Sequence, residues 1–131
     1  MLTTCLALAT LGLVSAAEIP ALAAEVEAEA RVLTAQTEIN AAFLAGLEDF
    51  SADALRLSDS LRQAGVEADL PCIFRGIAED AAERVAEFQA ADTQAERETA
   101  FTGLRVLLDD AILIAPMAAS AAADATAPQA P

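Results

Sequence analysis

The sequence predicts an all-α fold, a small antiparallel up-and-down helical bundle of three or four helices. Apolar residues recur at alternating spacings of three and four, the signature of one buried helical face. Alanine, the strongest helix former, supplies 35 of 131 residues. No segment shows the strict alternation expected of a half-buried strand.

The first long pattern runs from Ala24 to Ala64. Val26, Leu33, Phe43, Leu47, Phe50, Ala54, Leu57, Leu61 and Ala64 share one heptad register, with polar residues at two of its positions, Gln36 and Asn40. One helix or two would satisfy this pattern. Continuous phase and the lack of proline favour one. Ser51 as an N-cap, Phe50 and Leu55 as a hydrophobic staple and Asp53 in the first turn favour a second start there. Gly65 ends the segment. Asp69 has the chemistry of an N-cap, with Pro71 in the first turn of a helix whose apolar face is Leu70, Phe74, Ile77, Ala81, Val85 and Phe88. Thr93 to Glu96 reads as a capping box opening the last helix. Its buried stripe is Phe101, Leu104, Leu108, Ala111 and Ala115, widened by Val106, Leu107, Ile112 and Ile114. Pro116 is expected to limit it. The short connections imply antiparallel neighbours.

Both ends are expected to lie outside the bundle, giving a domain at 24–115. Leu2 to Val14 is an uncharged apolar run, too short to span a bilayer and right for a signal peptide covering residues 1–23. Cleavage is expected after Ala23, following Ala21-Leu22-Ala23, or alternatively after Ala16. No lysine or arginine precedes the run, which departs from the usual pattern. Residues 116–131, rich in alanine and proline, read as a disordered tail. The expected location is therefore periplasmic or secreted, with no membrane-spanning segment left after cleavage.

Composition removes several functions. There are 21 acidic side chains against 7 basic ones, a net charge of −14, and no histidine. All seven basic residues are arginine. Without histidine there is no His-based catalytic pair and no His metal site. Nucleic acid is excluded as a partner, because phosphate binding needs clustered cations. Phosphate loops, nucleophile elbows and Cys-x-x-Cys motifs are absent, so neither an enzyme nor a cofactor is expected.

Three features remain as candidates. Cys72 becomes the single cysteine once the leader is removed. It can be a small buried hydrophobe, a reactive thiol in the first turn of a helix, or the link of a disulfide homodimer. Glu79, Glu83 and Glu87 line one helical face and are weak candidates for a divalent cation or small ligand. Most arginines have an acid three or four residues away, among them Glu27–Arg31, Arg75–Glu79, Asp80–Arg84 and Arg105–Asp109, which reads as solvated faces with weak pairs. Gly76 and Gly103, inside helices, suggest close helix packing. The function expected from all this is non-enzymatic: a small acidic exported protein acting through contact with an unknown partner, through self-association, or as a structural component.

Overall fold

A computed structural model describes residues 12–67 and 69–127. Four helices follow a short 3-10 turn at Ala16–Glu18: α1 (Ile19–Thr34), α2 (Ala41–Gln63), α3 (Asp69–Ala90) and α4 (Gln94–Thr126). Each helix packs on its neighbours in sequence, and α4 closes the ring against α1 in the most extensive contact of all. The bundle is thus all-α, as the periodicity predicts. Arg105 Nη2 donates to the Thr34 carbonyl at 3.4 Å, while the 3-10 turn before α1 also packs on α4. Those two contacts require α1 and α4 to be antiparallel.

The helix boundaries follow from local chemistry. The 24–64 pattern is two helices, but the break lies at residues 35–40 and not at Ser51. It falls on the polar register positions, Gln36 and Asn40, which have no apolar side chain to bury. Asn40 Oδ1 accepts from the Phe43 N–H at 2.9 Å, and this cap starts α2. Gly65, at φ +81°, lets the chain turn out of α2, and the Val66 N–H reaches back to the Leu61 carbonyl at 3.0 Å. Glu96 Oε2 accepts from the Thr93 N–H while Thr93 Oγ1 accepts from the Glu96 N–H, so the expected capping box opens α4.

The core is one cluster. Ile19, Val26, Leu33, Phe43, Phe50, Leu57, Leu61, Phe74, Leu104 and Leu108 are sealed from solvent, and Phe43 meets Phe101 edge-on with ring centroids 5.9 Å apart. Burying each large aliphatic side chain contributes about 1.5–3 kcal/mol. Alanines complete it on α4, where Ala111, Ala115, Ala118 and Ala122 are buried. Small side chains also allow close approach. A Cβ added at Gly103 would stand 3.0 Å from Arg84 Cδ, whereas one at Gly76 would meet nothing within 4 Å. Close packing therefore accounts for Gly103 and not for Gly76.

Both expected domain limits move outward. Pro116 does not end the last helix, which continues to Thr126 with Ala118 and Ala122 in the core. Residues 116–126 are therefore helix and not a disordered tail, Ala127 ends the helix, and residues 128–131 lie outside the described residues. The proline itself is exposed, and its missing N–H is outweighed by the buried stripe that continues past it. At the other end α1 begins at Ile19 and buries Ile19, Leu22 and Ala23. A cut after Ala23 would strip all three from the core, and a cut after Ala16 would leave α1 whole. The apolar run of the expected leader lies almost wholly outside the described residues. The two shifts share one cause, since the start of α1 is what residues 116–126 pack against.

Candidate functional site

The residues expected to line a cation site are three carboxylates of α3. Glu79, Glu83 and Glu87 lie on the exposed side of α3, and each is held by an arginine. Arg75 Nη1 is 3.8 Å from Glu79, and Arg84 Nη2 is 3.4 Å from Glu83 and 3.1 Å from Glu87. Arg84 therefore pairs along this row and not with Asp80. An exposed row paired along its own helix in this way is a solvated face.

Carboxylates do converge elsewhere, across the α1–α2 contact. One oxygen from each of Glu25, Glu29 and Asp53 lies within 4.8 Å of the others. Glu25 and Glu29 sit one turn apart on α1, and Asp53 faces them from α2. A groove of about 370 Å³ adjoins them, lined by Glu25, Glu29, Val32, Gly46 and Asp49 among others. Glu29 Oε2 is buried with no hydrogen-bond partner. Burial, a hydrogen bond with Asp53, and the charges of Asp53, Glu25 and Asp49 push the Glu29 carboxyl up to about 8. At neutral pH it therefore keeps a proton that it can share with Asp53. Asp53 is also held by Arg56 at 2.8 Å, and Arg56 Nε donates to the Gly12 carbonyl at 3.2 Å. Such a cluster can hold a shared proton or a hard cation. Sequence spacing could not reveal it, because Asp53 lies 24 residues beyond Glu29 in the chain.

A second polar group is structural. Asp59 and Arg75 form a nearly buried ion pair at 2.9 Å between α2 and α3, with side chains 4% and 12% exposed. Beside it the Ser58 hydroxyl donates to the Pro71 carbonyl. Ser60 Oγ accepts from the Val14 N–H at 3.1 Å. This end of α2 thus ties down the start of α3 on one side and the chain leading into α1 on the other.

Cys72, half-buried in the first turn of α3, is disulfide-bonded. It is not the unpartnered thiol that removal of residues 1–23 would leave, and the reactive-thiol and intermolecular readings lose their premise. The other cysteine of the chain, Cys5, lies outside the described residues.

The last feature is the outer side of α4. Val106, Leu113 and Met117 are 54%, 72% and 57% exposed, although the inner stripe of the same helix already fills the core. By length and composition α4 could cross a membrane, with a mean hydropathy of 1.6 over its most apolar 18 residues, of which 28% are buried. The expected Arg105–Asp109 pair is not made. Arg105 turns instead to the Thr34 carbonyl and lies over the Phe101 ring, 5.8 Å from its centre. Comparison with family models, curated proteins and solved structures finds no match for the chain.

Proposed function

We propose that this chain is an exported, non-enzymatic helical bundle that works by contact with another protein through the outer face of α4. The observation that carries this reading is the exposure of Val106, Leu113 and Met117 on a helix whose inner face is already satisfied. Apolar side chains grouped on one rim of a small acidic domain mark an interaction surface more often than scattered ones do. Export is supported by the apolar run at the start of the sequence. Of the two cuts we infer the one after Ala16, since α1 then keeps its buried residues, although it removes Cys5 and the hydrogen bond between Val14 and Ser60.

A photo-crosslinking residue placed at position 113 in the producing cell tests the contact. A discrete adduct with a different polypeptide is expected from position 113 and none from the exposed polar position 48. No adduct, or adducts only with the chain itself, would overturn the reading. Mass spectrometry of the exported fraction should find Ala17 at the N-terminus, and recovery of the chain solely from the cytoplasm would remove the export argument.

A second reading keeps divalent-cation binding but places it at Glu25, Glu29 and Asp53, because carboxylate oxygens from two helices converge there among the described residues. Calorimetry with Ca²⁺ and Mg²⁺ decides it. Heat that vanishes in Glu29→Gln supports the reading, and no heat at millimolar metal ends it.

A further inference from the structure

Resting on the α4 contact proposed above, we propose that this face takes a cationic amphipathic helix of another protein. Val106, Asp110, Leu113, Met117, Ser120 and Asp124 follow one another at spacings of four and three, so they form a single outward stripe. All six are exposed. No charged residue lies between Ala111 and Ala123. The stripe therefore has an apolar middle, with Asp109 and Asp110 at one end and Asp124 at the other. At 1.5 Å per residue the two acidic ends stand about 21 Å apart.

The charge on this stripe is uncompensated. Asp109, Asp110 and Asp124 make no ion pair among the described residues. Arg105, the cation best spaced to neutralise Asp109, is committed to Thr34 and Phe101. Arg31, Arg56, Arg75 and Arg84 are bound to acids on α1, α2 and α3. What the face lacks is aliphatic cover in the middle and positive charge at both ends. A helix of about 14 or more residues, with aliphatic anchors at spacings of three and four and lysine or arginine flanking them, supplies both.

The same pattern disfavours the other occupants. A second copy laid antiparallel would set Asp110 against Asp124, and laid parallel it would set Asp110 against itself, on chains that each carry −14. A bilayer would have to accept Asp109 and Asp110 beside the apolar segment, and its anionic lipids would be repelled by the whole domain.

The test uses the full chain and three labelled peptides of about 18 residues, followed by fluorescence anisotropy. One is an amphipathic Leu/Lys helix, one an amphipathic Leu/Glu helix, and one the Leu/Lys composition scrambled to remove amphipathicity. The Leu/Lys helix is expected to bind at least about tenfold tighter than either of the others. Leu113→Glu with Met117→Glu should abolish that preference while circular dichroism remains unchanged. Asp109→Asn with Asp110→Asn should flatten the salt dependence between about 20 and about 300 mM NaCl. Equal affinity for the scrambled peptide would overturn the proposal as mere charge attraction. Preference for the Leu/Glu helix, lost in the Leu113 variant, would overturn the cationic partner and leave the docking face standing. Failure of all three peptides would remove both. Light scattering that shows a dimer of the free chain, made monomeric by Leu113→Glu, would replace the partner by a second copy, and flotation with phosphatidylcholine vesicles would replace it by lipid.

Discussion

Replacing Glu29 by glutamine isolates the most strongly perturbed acid among the described residues. Its carboxyl loses its proton at about 8 in the fold, against 4.5 ordinarily. The folded state thus holds this proton more tightly than the unfolded chain does. The stabilisation is fully present below about pH 4.5 and is lost as pH rises to about 8, where a full negative charge enters the cluster of Glu25, Asp49 and Asp53. At about 1.36 kcal/mol per pH unit the upper limit is roughly 5 kcal/mol. Part of the side chain stays in water, and screening there leaves about 1–2 kcal/mol. Glu29→Gln has nearly the same shape, cannot ionise, and offers Asp53 an N–H in place of the shared proton. Thermal melts followed by circular dichroism should show wild type and variant within error near pH 5. Near pH 9 the variant should melt higher by about 4–10 °C, given roughly 4–5 °C per kcal/mol for a chain of this size. Parallel Tm–pH curves for the two proteins would refute the shared-proton account, because the net charge of −14 acts on both alike.

Four further outcomes follow from the packing. Leu108→Ala, at a site 1% exposed, should lower urea stability by about 2–5 kcal/mol through the cavity it leaves. Truncation after Ala115 removes buried Ala118 and Ala122 and should lower the melting temperature, whereas removal of residues 128–131 should not; equal melts for both truncations would restore the disordered-tail reading. Gly76→Ala adds a methyl where nothing lies within 4 Å and should stabilise by about 0.5–1 kcal/mol, with Gly103→Ala gaining less because Arg84 must move aside. Asn40→Ala removes the cap on α2 and should cost about 1 kcal/mol in the same urea assay.

The inward faces were legible because burial writes itself into spacing. Phe43, Leu47, Phe50, Leu57 and Leu61 occupy the core as their register predicts. The end of α4 was equally written, since Ala118 and Ala122 continue the spacing of Ala111 and Ala115. Pro116 obscures it, as do the two prolines near the end and the lack of any large aliphatic residue after Met117. The break at residues 35–40 was marked only by two polar residues in an otherwise unbroken register, and Ser51 looked the stronger start. Features built from separate helices were not legible at all. Asp59 makes a nearly buried ion pair with Arg75, 16 residues further along the chain, across the α2–α3 contact. Glu29 meets Asp53 by the same route.

The antiparallel pairing of α1 with α4 also sets an order of events during synthesis. The first helix leaves the ribosome early, but its principal partner is completed only when residues 118–122 have been added. Until then the buried side of α1 finds partial cover from α2 alone, and the ring of helices stays open. Closure therefore waits on α4 folding back onto α1.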